Sequence, residues 1–294
     1  MTILIAGASG FIGQALVAQL TKEGHTVQTL SRSQKLGQLA WSDEVAWRSA
    51  VAQADAVVNL CGASVAAQRW SDAFKDEIIN SRVEPTRKLA SAHPKLLINA
   101  SAVGYYGDCG EREITEKSPA SKDYFGHVCS DWEAAAQEAA TAGGRVIFLR
   151  IGQVFARGGG VIETMLNPPQ VPFSPWKLGL GGPLGNGRQW VPWVHRDDVL
   201  GLISWALTNP EVSGPLNAVS PNPVTARQLS EALGKALGKP ALVPVPLFAL
   251  KALVGEFAEY LVTSQRVVPK KALDLGYTFR WPTLPEALTD VLLP

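Results

Sequence analysis

The stretch "GASGFIG" (residues 7–13) constrains this chain more than any other seven residues in it. It follows the apolar run "TILIAG" (2–7) and opens "FIGQALVAQLTKEG" (11–24). Apolar residues recur there at helical spacing, and the run stops at Gly24, a residue suited to a helix C-terminus. A second apolar run, "HTVQTLSR" (25–32), closes a strand–helix–strand unit. In that setting the three glycines have separate tasks. Gly7 permits a tight turn, Gly10 lets the backbone come close to a pyrophosphate, and Gly13 lets the helix pack on the strand. The helix N-terminus then offers unpaired N–H groups and a partial positive charge to phosphate. A dinucleotide site made of Gly7, Ser9, Gly10, Phe11, Ile12 and Gly13 is the expectation.

Further apolar runs follow at "DAVVNLCG" (55–62), "KLLINASAVG" (95–104) and "RVIFLRIGQVF" (145–155). Helical patterns fall near 72–92, 129–142, 196–210 and 225–239, and "PLNAVSP" (215–221) reads as a short strand. Apolar strands alternating with helices predict an α/β fold, a Rossmann doubly wound parallel sheet with helices on both faces. Between Phe155 and His195 the texture changes to Gly, Pro and Trp, which predicts a helix followed by a loop covering a site. The organisation expected is a nucleotide-binding domain at 1–155, rejoined by 191–218. Segments 156–190 and 219–294 form a smaller α/β substrate lobe.

The net charge is +1, so electrostatics favour neither nucleic acid nor an anionic membrane surface. Three cysteines, Cys61, Cys109 and Cys129, are odd in number and widely spaced. They predict no metal site and a reduced, cytoplasmic setting. No signal peptide opens the chain, and apolar runs such as "PVPLFALKALVG" are too short to span a bilayer. The partner expected is a small-molecule substrate, on a monomer or homodimer.

The second strand ends "TLSR". Folds that take NAD place a carboxylate there for the adenosine ribose hydroxyls, and that carboxylate would repel a 2′-phosphate. Ser31 and Arg32 stand there instead, and Arg32 can pair with such a phosphate in a bidentate, charge-assisted way. The cofactor expected is therefore NADP(H).

With "GASGFIG", the motifs "VVNLCGA" (57–63), "SAVGYYG" (101–107) and "WVHRDDV" (193–199) resemble the extended short-chain dehydrogenase/reductase superfamily. The blocks "LRIGQVFARGGG", "KLGLGGPLGNGRQWVPWVHRDD", "LNAVSPNPVT" and "LGKALGKP" resemble its NAD(P)-dependent epimerase-family, sugar-nucleotide-epimerase-like branch, nearly end to end. The resemblance implies further cofactor contacts at Leu60, Cys61, Glu77, Arg82 and Val154. By residue type alone, Glu77 and Arg82 read as a solvated helix face and Val154 as core.

The superfamily moves its proton with a Tyr and a Lys four residues later, whose charge lowers the Tyr pKa. Aligned on the helix that ends "WEAAAQEAA", those positions hold Phe125 and Cys129; one residue earlier they hold Tyr124 and Val128. The pair is missing. The superfamily's catalytic hydroxyl falls on Ala102, with Ser101 one residue early, where a bulge would be needed to bring it into place. Ser101, Tyr105 and Tyr106 are the candidate substitutes; His127 and the Cys129 thiol complete no constellation. Arg188, Trp190 and His195 are candidate substrate residues, although His195 reads better as a positioning residue, with Asp197 and Asp198 capping the next helix. Trp176, Trp190 and Trp193 either wall a pocket or fill core. Two functions remain open: an NADP-dependent epimerase or reductase with non-standard acid/base residues, and an NADP(H)-binding regulator or redox sensor without turnover.

Overall fold

The computed structural model describes residues 1–32 and 37–292. Its first half runs β1 (Thr2–Ala6), α1 (Phe11–Lys22), β2 (Thr26–Ser31), β3 (Leu39–Ala40), α2 (Glu44–Gln53), β4 (Ala56–Asn59), α3 (Asp72–Ala90) and β5 (Leu96–Ala102). A 3-10 turn at Val103–Tyr106 leads to β6 (Glu113–Ile114), α4 (Tyr124–Thr141), β7 (Arg145–Ile151), β8 (Gln153–Ala156) and α5 (Gly160–Leu166). Then come β9 (Trp190–Val191), β10 (Trp193–His195), α6 (Arg196–Thr208), β11 (Gly214–Ala218), β12 (Val224–Thr225) and α7 (Ala226–Leu237). The chain closes with α8 (Leu247–Val254), α9 (Phe257–Leu261), β13 (Arg266–Val267), α10 (Lys270–Asp274) and α11 (Leu284–Leu292).

Seven parallel strands form one sheet in the order β3-β2-β1-β4-β5-β7-β11. Successive strand residues point to opposite faces. Ile3 and Ile5 pack with Val58, Ile98 and Ile147 against α1 and α6, while Leu4 and Ala6 pack with Val57, Leu97 and Phe148 against α2, α3 and α4. Continuous apolar strands are thus buried on both faces, as the sequence predicts. The strand order reverses at β1 and β4, and an open α/β sheet binds ligands outside the C-terminal ends of its strands at such a point.

Local differences have physical causes. Between the second and third apolar runs the helix α2 is joined by β3, a two-residue strand too short to leave a pattern in the sequence. The run 145–155 is not one strand. A Cβ at Gly152 would overlap the Pro192 carbonyl oxygen, and the chain there leaves the main sheet, so that β8 pairs with β10 instead. Helix α4 starts at Tyr124, five residues before the expected 129, because the Asp123 carboxylate accepts the Gly126 N–H at 2.8 Å.

A second core joins Phe155, Ile162, Trp176, Trp193, Leu229 and Leu288. Trp193 stacks on Phe155 with ring centroids 5.6 Å apart. Trp176 and Trp193 therefore fill core and wall no open pocket. No described helix is long and apolar enough to cross a membrane.

Candidate cofactor and catalytic site

Gly7 has φ of 82°, and a Cβ there would stand 2.7 Å from the Leu60 backbone. A Cβ on Gly13 would overlap the Gly7 carbonyl oxygen. Helix α1 thus starts hard against the end of β1, with Ser9 in the turn between them. Gly10 differs: its N–H donates to the Gly7 carbonyl at 3.1 Å, and an added Cβ would meet only that oxygen among the described atoms. Phe11 packs on Gly159 and Gly160, with the Arg196 guanidinium over its ring at 5.0 Å. Ile12 and Val154 pack against the same core.

β4 ends beside the glycine loop, and the Leu60 N–H donates to the Ala6 carbonyl at 2.9 Å. The Cys61 N–H donates to Asn59 Oδ1 at 3.1 Å. Burial pushes the Cys61 thiol up to about 12, against the pull of the Arg32 charge, so it is neutral at physiological pH. Arg32 is exposed just beyond Ser31, at the end of β2.

Helix α3 is pinned beneath this loop by a buried polar cluster. Asn59 Nδ2 donates to Thr86 Oγ1 at 2.8 Å and to Asn99 Oδ1 at 2.7 Å, and Trp132 Nε1 donates to Thr86 Oγ1 at 2.9 Å. One turn earlier, Arg82 donates to the Ile78 carbonyl at 2.8 Å and the Ala63 carbonyl at 2.9 Å, and lies over the Trp132 ring. Burial pushes its pKa down, while Cys129 and Tyr124 lie close enough to pull it up. Glu77, on the same helix, is exposed.

On α4, Phe125 packs against the Cα of Gly104, and the Cys129 sulfur lies behind it. Cys129 is fully buried, and desolvation drives its thiol up to about 12. The positions of the missing pair therefore hold a hydrocarbon ring and a neutral thiol. The Phe125 ring meets Tyr260 of α9 edge-on at 4.6 Å and Trp70 at 5.3 Å, while the Tyr124 hydroxyl donates to the Lys75 carbonyl at 2.9 Å. Five aromatic rings (Trp70, Tyr124, Phe125, Phe257 and Tyr260) join the start of α4 to α9 and the loop after β4 here.

The three candidate hydroxyls part company. β5 pairs with β7 without interruption through Ser101 and Ala102, so there is no bulge. Ser101 is buried and donates to Glu133 Oε1 at 2.7 Å. Glu133 holds Arg150 through two bonds of 2.8 Å. Arg150 donates to the Tyr106 oxygen at 2.9 Å, and Tyr106 donates to Asn217 Oδ1 at 2.7 Å. Burial pushes Tyr106 up to about 12. Burial alone would lower Arg150, but the bonds to Glu133 and Tyr106 outweigh it and hold its pKa above the ordinary range. Ser101 and Tyr106 thus belong to one closed network. Tyr105 is half-buried, and its ring lies 3.5 Å from the Arg150 guanidinium. Its hydroxyl makes no hydrogen bond to another described residue.

Glu133, Arg150 and Asn217 are the residues that sequence reasoning missed. A signal existed: Arg150 interrupts "VIFL…I" in a buried strand, and Glu133 sits on the Trp–Ala face of α4, and lone charges in apolar runs are rarely left unpaired.

On the substrate side, Arg188 is exposed, and its N–H donates to Asn186 Oδ1 at 2.8 Å in a local turn. Trp190 Nε1 donates to Glu111 Oε2 at 2.7 Å under the Arg266 guanidinium. His195 is buried: its Nδ1 accepts the Asp197 N–H at 3.2 Å and so caps α6, while Nε2 faces Asp290 Oδ2 at 3.2 Å. Asp198 accepts the Arg280 and Trp281 N–H groups at 2.7 and 3.0 Å and ties the C-terminal segment to α6. Among the described residues no cluster of His, Cys, Asp or Glu could hold a metal ion.

The seven-stranded parallel sheet, its reversal at β1 and β4 and the glycine loop define an extended short-chain dehydrogenase/reductase fold. The chain belongs to the NAD dependent epimerase/dehydratase family, whose model matches residues 3–219. Residues 245–291 match a second model, a domain of unknown function (DUF1731). The chain is 38% identical over 310 residues to "Epimerase family protein SDR39U1 homolog, chloroplastic" of Arabidopsis thaliana, covering 99% of this chain and 87% of that one. It is 38% identical over 302 residues to "Epimerase family protein SDR39U1" of Mus musculus, covering 99% and 100%. A crystal structure of human epimerase family protein SDR39U1 (isoform 2) with NADPH superposes with a TM-score of 0.89 at 35% identity, covering 99% of each chain.

Proposed function

We propose that this chain binds NADP(H) at the C-terminal edge of its sheet and works as an epimerase- or reductase-type oxidoreductase on a nucleotide-sugar-like or other small polar molecule. The observation that carries the cofactor is Arg32, an exposed cation just beyond the end of β2, where an NAD site has a carboxylate. The human relative solved with NADPH supports it. Gly10 leaves its side of the loop open for a pyrophosphate, which Gly7, Ser9, Gly13 and the first amides of α1 would hold. Ser31 and Arg32 would take the 2′-phosphate, Leu60, Cys61, Glu77 and Arg82 the riboses, and Val154 the nicotinamide side. NADP(H), when bound, gives or accepts a hydride. Arg32→Ala should weaken NADPH binding about ten- to hundredfold, measured by fluorescence titration, and leave NADH little changed. Equal effects on the two cofactors would sink the assignment.

For the proton, Tyr105 is the candidate the geometry favours. Its hydroxyl makes no hydrogen bond to another described residue, and the Arg150 guanidinium lies over its ring face. Ser101 and Tyr106 serve to hold Arg150. Arg82, not a lysine of α4, brings a cation near Cys129. Phe125 and Cys129 favour a second reading, a cofactor-binding regulator that has lost turnover. Reduced-nicotinamide absorbance, followed across a panel of sugar nucleotides, aldehydes and ketones, separates the two. Turnover that Tyr105→Phe abolishes supports the enzyme; no turnover with any substrate supports the regulator. Cys61, Cys109 and Cys129 are all unpaired, which suits a reducing, cytoplasmic compartment.

A further inference from the structure

The net charge of +1 conceals an uneven surface. Segments 164–196 and 232–255 contain no Asp or Glu. They lie side by side in the small lobe: the Val243 N–H donates to the Gly181 carbonyl at 3.1 Å, Val245 N–H to the Pro183 carbonyl at 2.9 Å, and Gly185 N–H to the Val245 carbonyl at 2.9 Å. Seven of the ten exposed large apolar side chains among the described residues fall on these segments: Phe173, Leu178, Leu180, Leu242, Val243, Phe248 and Leu253. Leu242 is 81% exposed and Phe248 77%, so neither contributes to the core. α8 has the sequence "LFALKALV", yet only Leu250 is buried. Isolated exposed apolar residues are ordinary; a concentration of them on two adjoining segments marks a contact surface.

The charges beside them choose the occupant. Lys177, Lys235 and Lys239 are exposed and make no ion pair to another described residue, whereas Lys251 pairs with Glu259 at 2.7 Å. Protein–protein interfaces are depleted in lysine, while a bilayer with anionic headgroups attracts it and accepts apolar side chains at the headgroup boundary. We propose that this face of the small lobe is a peripheral docking surface for an anionic lipid bilayer. Whole-chain charge gives no hint of it, because it averages these lysines with acidic residues outside the two segments. The surface is mechanically joined to the crevice. Arg69, on the loop after β4, donates to the Lys251 and Ala252 carbonyls at the end of α8 at 3.1 and 3.0 Å. Docking would therefore bring the bilayer alongside the loop that frames the cofactor site.

The test is co-sedimentation of the full chain with vesicles of phosphatidylcholine alone and of phosphatidylcholine mixed with phosphatidylglycerol. The chain should pellet with the mixed vesicles only, and added salt should release it. Leu242→Asp with Phe248→Asp, and separately Lys177→Glu with Lys239→Glu, should each weaken partitioning about tenfold or more. The lysine pair is fully surface-borne and decides the matter if the apolar pair disturbs folding. No pelleting above the neutral-lipid level overturns the proposal, and so does pelleting that survives the lysine substitutions. Self-association that Leu242→Asp abolishes, without vesicle binding, overturns it in favour of a contact between copies.

Discussion

At the β1–α1 turn, Gly7 and Gly13 keep Cβ atoms out of the way, so that free amides and a helix N-terminus face the crevice. On the β5–α4 side of the same sheet edge, the polar groups are turned inward. Ser101, Glu133, Arg150, Tyr106 and Asn217 satisfy one another, and Phe125 and Cys129 fill the positions where a proton relay would stand. One side is built to receive a ligand's charge, and the other has used its own charges to close itself. The contrast sets an open glycine turn against a polar network closed on itself, at two places along one sheet edge.

Removing one member of the inward network is the severest way to break this contrast. Glu133→Ala leaves Arg150, which is 2% exposed, without its counter-charge. It should cost about 3–5 kcal/mol, read as a fall in the denaturation midpoint with unchanged m-value. Glu133→Gln should cost less, because its amide oxygen still accepts from Arg150. A loss under about 1 kcal/mol, the level of an exposed pair, would show that the network does not hold this side together. Rebuilding the relay should fail for a related reason. Phe125→Tyr with Cys129→Lys puts an ammonium into a fully buried site already facing Arg82. We expect a destabilisation of about 3 kcal/mol or more, measured by urea unfolding. Unchanged stability would mean that the site is open enough to solvate the charge.

The opposite side should break more gently in stability and more sharply in binding. Gly13→Ala drives a Cβ into the Gly7 carbonyl, a backbone atom with nowhere to go. A loss of about 1–3 kcal/mol is expected. NADPH binding by calorimetry should fall further than that figure accounts for, since the amides move with the loop. Parallel losses in folding and binding would reduce the glycine to a packing residue.

These differences also set what could be read in advance. The sheet, its order of elements and the glycine loop follow from local rules: apolar runs, a helical period, and glycines where a Cβ has no room. The network does not. Ser101, Glu133, Arg150 and Asn217 are far apart in the chain and meet only once β5, α4, β7 and β11 are assembled. A lone hydroxyl at a strand end reads the same whether it faces a substrate or a buried carboxylate. Tyr105 and Tyr106 are adjacent, yet one phenol is locked to Asn217 and the other is not. Trp193 and Trp190 show the same limit, since only two residues separate a core ring from one that bonds to Glu111.

The smallest effect concerns His195, the N-cap of α6. Burial lowers its pKa, against the pull of Asp197, Asp290 and Asp198, so the folded chain favours neutral imidazole. Its Nδ1 must stay unprotonated to accept the Asp197 N–H. A group depressed on folding contributes stability that is present above its ordinary value of about 6.5. That stability is lost as pH falls through the lower folded value. The melting temperature should therefore decline as the medium is acidified below about pH 6.5, before the bulk of the carboxylates titrate. His195→Asn keeps a capping oxygen without a proton to gain, and should flatten that part of the profile. An identical acid slope in the variant would assign the loss to the aspartates around it.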